Sequence, residues 1–126
     1  MTNEEKQLLI KDLCARLPYG VKGVFTKGGI KLPYDSVLTP FYYGEIEMTF
    51  NGYCSIDNRV EFIPYLRLMS SMTEEEENEY RAINCYEGLF PRNEEALDYV
   101  LEHHFDYRGL IEKGIALEAP NGMYYG

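Results

Sequence analysis

The stretch "HHFDYRGLIEKG", His103 to Gly114, gathers both histidines of the chain beside Asp106, Tyr107 and Arg108. An imidazole oriented by a carboxylate is a common general base, so His104 and Asp106, with Tyr107 and Arg108 nearby, form the candidate catalytic pair. The same residues also have a structural use. A histidine in an apolar stripe, bonded to backbone or to Asp106, is the commoner arrangement. On that reading His104, Asp106, Arg108 and Gly114 are structural and no catalytic residue is assigned. Arg108 is then the ion-pair partner of Asp106 or of a carboxylate on the second helix.

Metal chemistry finds little support. Consecutive residues on a regular helix point about 100° apart, so His103 and His104 cannot readily ligate one ion. Cys14, Cys54 and Cys85 are odd in number and form no CxxC pair, which argues against a zinc knuckle and against a disulfide framework. They are read as reduced thiols serving as small hydrophobes. No P-loop, HExxH, GxGxxG, EF-hand or nucleophile-elbow pattern occurs. No metal and no cofactor are expected.

The elements that must position these groups are legible from period and caps. Thr2 with Glu5 is a capping box, and Leu9, Ile10, Leu13, Cys14 and Leu17 form one helical stripe, with Lys6, Lys11, Asp12 and Arg16 mainly outside it. Pro18 stops this first helix near residue 17. Short β-type runs follow, with "KGG" at 27–29 as a hairpin turn. "FYYGEIEMTF" alternates Ile46, Met48 and Phe50 with polar residues before Asn51-Gly52, a strong hairpin signal, and so reads as a strand. "YCSI", a turn at Asp57-Asn58 and "RVEFIPYLRL" complete the run, with Pro64 suggesting an edge or a strand end. Several short strands joined by tight turns predict an antiparallel β-meander over 19–68, either a small SH3-like barrel, which is the favoured form, or an open sheet with helices on one face.

Helices then return. Thr73 with Glu76 repeats the capping box, and Glu74 to Glu77 place negative charge at the positive end of the helix dipole. That helix offers Tyr80, Ile83 and Tyr86 for contact and should pack loosely at the domain edge. Asn93 caps a third, with Leu97, Val100, Leu101, His104 and Phe105 at core spacing and His103 turned toward Ala96 and Tyr99. Asp106 is placed to cap a short fourth helix, "YRGLIEK", ended by a left-handed Gly114 with Leu110 and Ile115 in Schellman contact. The expected fold class is therefore α+β: an N-terminal helix over 1–18, the β-meander, and two to three C-terminal helices in a unit over 73–126. A chain of 126 residues fits a single domain, 1–126, that needs no staple to fold.

Charge divides the chain. Residues 1–68 carry eight Lys/Arg and eight Asp/Glu, whereas 69–126 carry four against thirteen and supply the whole net charge of −9. An acidic half repels phosphate backbones and disfavours nucleic acid as a partner, leaving a basic protein as an option. No apolar run approaches the ~20 residues needed to span a bilayer and no signal peptide is evident, so a cytoplasmic protein without a membrane partner is expected. Twelve tyrosines and no tryptophan suit a contact surface, with Tyr42, Tyr43, Tyr124 and Tyr125 as candidate binding residues.

"LLIKDLCARLPYGVK", "PYLRLMSSMTEEE" and "HHFDYRGLIEKGIALEAPNGMY" resemble three blocks of a family of small proteins encoded by anaerobic gut bacteria and their phages. The segment from about 22 to 62 departs from that pattern. The resemblance implies a phage or mobile-element setting and no reaction. The expected role is an accessory protein that binds a protein partner or forms a homo-oligomer, without catalysis. An acidic decoy that blocks a basic, nucleic-acid-binding protein is the alternative, and an enzyme using His104 and Asp106 comes third.

Overall fold

A computed structural model describes residues 2–28, 30–31, 36–52, 59–85, 88–120 and 122–124. Helix α1 (Asn3–Arg16) opens on the expected capping box: the Glu5 N–H donates to Thr2 Oγ1 at 3.1 Å, and the Thr2 N–H donates to the Glu5 carboxylate at 2.9 Å. A 3-10 turn over Leu17–Tyr19, with proline inside it, ends the helix. Strand β1 (Lys22–Lys27) then turns through Gly28, at φ +60°, into β2 (Ile30–Lys31), so "KGG" does form a hairpin with Lys27 opposite Ile30. β3 (Ser36–Val37) pairs with the other end of β1, and the long β4 (Val60–Leu68) lies antiparallel to it from Gly23↔Pro64 to Lys27↔Val60.

The six strands form an open, mixed sheet. β5 (Phe105–Asp106) and β6 (Leu117–Glu118) both run parallel to β4, because the chain returns to that strand only after crossing the helical unit. Pro64 sits inside β4 at its last pairing with β1, where an absent N–H costs the ladder least, and not at the end of the strand. Opposite it, Gly23 leaves room for the Phe62 ring. A Cβ at residue 23 would collide with that ring and with the Ile63 carbonyl.

"FYYGEIEMTF" is a helix and not a strand: α2 (Pro40–Phe50) starts at Thr39, whose hydroxyl accepts the Tyr42 N–H, with Pro40 preset for the first turn. Ile46 is fully buried with Tyr43 and Phe50 beside it at i−3 and i+4, while Met48 is exposed, so the 3.6-residue period defeated the apparent alternation. Gly52, at φ +78°, follows the helix end and does not turn a hairpin there. This loss of a strand explains why the favoured barrel does not form. α2 covers one face of the sheet instead. The predicted strand "YCSI", the turn at 57–58, Cys54, Tyr86 and Tyr125 lie outside the described residues.

Two cores result. Leu9 and Leu13 of α1 and Ile46 of α2 pack on Phe25, Phe62 and Leu66 of the sheet. Tyr80 of α3 (Glu74–Asn84) and Ala96, Tyr99 and Val100 of α4 (Glu94–Glu102) close around Phe105. α3 keeps its capping box, Thr73 with Glu76, and Asn93 caps α4 through the Ala96 N–H at 2.8 Å. The expected loose packing of α3 is corrected by a fully buried Tyr80 and Asn84 and by Glu76 at only 9% exposure. Cys14 and Cys85 are exposed free thiols, not buried hydrophobes. Among the described residues no helix is long and apolar enough to cross a membrane.

Candidate functional site

α4 stops one turn earlier than its apolar stripe suggests. His103 is its cap and His104 takes a left-handed φ of +64°, which swings the chain out of the helix and sends Phe105 and Asp106 into β5 beside Arg67 and Leu68. A histidine tolerates that region better than a bulky or β-branched residue does. The two imidazoles thereby part company. His103 stacks on Tyr99 with ring centroids 4.1 Å apart, and its Nδ1–H donates to the Tyr99 carbonyl at 2.9 Å. His104 stacks on Tyr124 at 3.8 Å.

Asp106 does not orient His104. Its two carboxylate oxygens accept the Leu110 and Ile111 N–H groups, each at 2.9 Å. The segment beyond it is one helical turn and not a separate helix. Its end is the expected Schellman arrangement: the Ile115 N–H donates to the Leu110 carbonyl, the Gly114 N–H donates to the Ile111 carbonyl, and Gly114 has φ +78°. Arg108 bonds neither Asp106 nor an α3 carboxylate. Its Nε donates to Asp12 Oδ1 of α1 at 3.2 Å.

Two buried arginines hold β5 from either side. Arg16, fully enclosed, donates from Nε to Asp12 Oδ2 at 2.6 Å and from Nη2 to the Phe105 carbonyl at 2.7 Å. Arg67 grips Glu76 bidentately at 2.8 and 2.7 Å and lays its guanidinium 4.2 Å above the Phe105 ring. Hydrogen bonds from Arg67 hold the Glu76 carboxyl down at about 2, well below the usual glutamate range. Sequence reasoning missed these four residues. Asp12 and Arg16 at i, i+4 were the available signal, but their charge placed them on the solvent side; Glu76 was read only as a cap, and Arg67 had no signal at all.

A groove of about 380 Å³ opens beside this junction, lined by Arg67, Thr73, Glu75, Glu76, Glu102, His103, His104 and Tyr124. His104 is only 8% exposed and its Nδ1 has no hydrogen-bond partner among the described residues. Burial, reinforced by the positive charges of Arg16, His103, Arg67 and Lys22, pulls its pKa down to about 4, so the ring is neutral at pH 7. Such a ring is a poor proton reservoir near neutrality. It remains a hydrogen-bonding group in a half-enclosed polar site. Among the described residues no group of three or more His, Cys, Asp or Glu could hold a metal ion.

The candidate binding tyrosines divide. Tyr42 is 40% exposed at the start of α2, Tyr43 is half-buried against the main core, and Tyr124 is tied down, its hydroxyl donating to the Tyr65 carbonyl at 2.6 Å and accepting the Lys22 N–H at 2.9 Å. Tyr42 belongs to a second feature. Ile30, Val37 and Phe41 are 72%, 45% and 70% exposed, and the Phe41, Tyr42 and Phe25 rings form a chain of contacts at 5.4 and 5.0 Å. Comparison with protein-family models, with curated proteins and with solved structures gave no match.

Proposed function

We propose that this protein is a non-catalytic protein-binding module that meets its partner through the aromatic surface at the start of α2 and the adjoining β2–β3 edge of the sheet. The observation that carries the reading is the exposure of Phe41 at 70% beside a half-exposed Tyr42, whose ring lies against Phe25 of β1. Large apolar side chains grouped at a sheet edge mark contact surfaces on folded proteins, whereas single exposed ones do not. Among the described residues β2 and β3 each have one strand neighbour, β1, so backbone groups along their outer edges can accept a partner strand.

A net charge of −9 opposes close approach of two copies, which favours a heterologous and basic partner over a homo-oligomer. The decoy reading needs an undivided acidic face. Glu76 is withdrawn from that face into the Arg67 pair, and Glu77 is paired with Arg81 at 2.6 Å. Catalysis by His104 and Asp106 loses its geometric support because Asp106 is committed to backbone. Exposed free thiols at Cys14 and Cys85 suit a reducing, cytoplasmic setting, and the resemblance to proteins of gut bacteria and their phages supports an accessory role there.

The test compares the tagged protein with its Phe41→Glu variant in affinity capture from native host cells, alongside sedimentation velocity of both. A partner retained by the unaltered protein and depleted at least ten-fold by Phe41→Glu, at unchanged melting temperature, is expected. Equal recovery by both proteins, with identical sedimentation, refutes the surface.

A further inference from the structure

The loop "GLFPRN", Gly88 to Asn93, is held from the inside of the fold. Asn84, fully buried at the end of α3, donates from Nδ2 to the Phe90 carbonyl at 3.0 Å and to the Gly88 carbonyl at 3.4 Å, and its Oδ1 accepts the Arg92 N–H at 2.7 Å. The Tyr80 hydroxyl donates to the Leu89 carbonyl at 2.7 Å. Asn93 donates from Nδ2 to the Ile83 carbonyl at 3.0 Å while its Oδ1 caps α4. A buried amide with its donors and acceptor bonded in this way costs little and fixes the backbone that it grips.

Two large apolar side chains stand outside this scaffold. Leu89 is 44% and Phe90 56% exposed, although the carbonyls of both are tied to α3. A loop that only joins two helices gains nothing from such residues, whereas apolar side chains on a fixed backbone lose little freedom when a partner covers them. Phe90 also forms one wall of a groove of about 330 Å³, with Pro91, Leu97 and Tyr107 as its other apolar walls. The Phe90 and Tyr107 rings meet edge-on, with centroids 6.2 Å apart.

The surroundings of the groove are acidic. Glu94 lines it, Glu95 and Asp98 are exposed on the same helix, and none of the three makes an ion pair with a described residue. Arg92 lies over the Phe90 ring at 5.6 Å and offsets one of these carboxylates, while Arg108, over the Tyr107 ring at 4.8 Å, is paired with Asp12. Residues 88–98 thus hold one arginine against three carboxylates, within the half of the chain that supplies the whole net charge. An acidic partner would be opposed here and a basic one drawn in.

We infer that the "GLFPRN" loop and its groove dock a basic amphipathic segment of a partner protein. One large apolar side chain enters between Phe90, Leu97 and Tyr107, and lysines or arginines flanking it meet Glu94, Glu95 and Asp98. This surface shares no residue with the one at the start of α2 and does not rest on it.

The probe is a synthetic amphipathic peptide of leucine and lysine, titrated into the whole protein at pH 7.5 and followed by backbone amide NMR. Two companion peptides separate the contributions: leucine with glutamate in the same pattern, and lysine with glutamine, which keeps the charge and loses the apolar face. Saturable shifts at Leu97 and Tyr107 are expected with the leucine/lysine peptide alone. Phe90→Gln should weaken its binding by about five-fold or more, and Glu94→Gln/Glu95→Gln by a similar factor with a shallower salt dependence. Glu74→Gln/Glu75→Gln removes the same charge from α3 and should leave binding unchanged. All five positions are exposed, so the variants should fold, and their melting temperatures check this. Failure of the leucine/lysine peptide to saturate, equal binding by either companion, or unchanged affinity in Phe90→Gln overturns the proposal. An equal loss in Glu74→Gln/Glu75→Gln also overturns it, since that would mean diffuse attraction to acidic charge. Self-association of the unaltered protein in sedimentation velocity, abolished by Phe90→Gln, would make the occupant a second copy and overturn the basic segment.

Discussion

Acidification should expose the position of His104 directly. The groups facing its ring are Arg16 from α1, Lys22 from β1, Arg67 from β4, His103 at the end of α4 and Tyr124 from the C-terminal segment, with Glu75, Glu76 and Glu102 across the groove. Burial is the leading cause of its low pKa and the cations add to it, giving about 4 against an ordinary 6.5. Between those values the unfolded chain binds a proton that the folded chain does not. Stability from this group is therefore complete above about pH 6.5 and declines as the pH falls through the window to about 4. A fully sealed ring with this shift would be worth about 3 kcal/mol at the acid end, at about 1.4 kcal/mol per unit. Solvent reaching the ring through the groove reduces that, so the expected loss between pH 7 and pH 5 is about 1–2 kcal/mol.

The assay is urea unfolding at half-unit steps from pH 7.5 to 5, performed on the natural chain and on His104→Asn. Asparagine tolerates the left-handed φ and cannot titrate there, so subtracting the two curves removes every other group to first order. Glu76 does not confuse the window, because its own loss begins only as the pH falls below the usual glutamate value and runs toward about 2. A difference that shrinks toward acid by about 1–2 kcal/mol supports the burial of His104 among cations. Parallel curves, or an imidazole NMR midpoint for His104 above pH 6, would refute it.

Two further substitutions test the clamps on β5. Asp12→Ala leaves Arg16 enclosed and Arg108 without its carboxylate, and should cost about 3–5 kcal/mol in urea unfolding, with a loss under ~1 kcal/mol counting against the network. Glu76→Gln breaks the charged Arg67 pair while a glutamine can still fill the capping box, for about 2–4 kcal/mol, whereas Glu74→Gln on the same turn should change stability by less than ~0.5 kcal/mol; equal effects would mean that the acidic run is merely solvated.

What could be seen in the sequence was whatever local chemistry decides. The capping boxes at Thr2 and Thr73, the Asn93 cap, the stop at Pro18 and the Gly114 turn need only neighbours within a few residues, and all of them stand. Residues 40–50 carried two signals at once. Alternation of Ile46, Met48 and Phe50 spoke for a strand, while Thr39-Pro40 spoke for a helix start, and burial of Ile46 against the sheet decided between them. The left-handed turn at His104 was out of reach, since only the pairing of Phe105 with Arg67 across β4 requires the helix to end there. So were the ion pairs. Charge predicts exposure on average, and Asp12, Arg16, Arg67 and Glu76 depart from it because each finds its opposite within hydrogen-bonding distance.

These departures bear on where function can lie. Arg16 reaches the Phe105 carbonyl from α1 and Arg67 covers the Phe105 ring from β4, while Asp106 binds the turn that follows, so one dipeptide is fixed by three separate elements. Buried pairs of this kind carry a desolvation cost that apolar residues would avoid, and their benefit is a single defined geometry. Here the geometry they define is the exit of the chain from α4. It sets His103 against Tyr99 and His104 against Tyr124. Asp12, Arg16, Glu76 and Arg108 are thus bound up in holding the junction, and the groups left over on its surface are Glu75, Glu102 and the histidine rings. The clamps fix where the two rings of the "HHFDYRGLIEKG" segment lie, and with both Asp106 oxygens taken by the Leu110 and Ile111 N–H groups, that carboxylate is not the partner that orients His104.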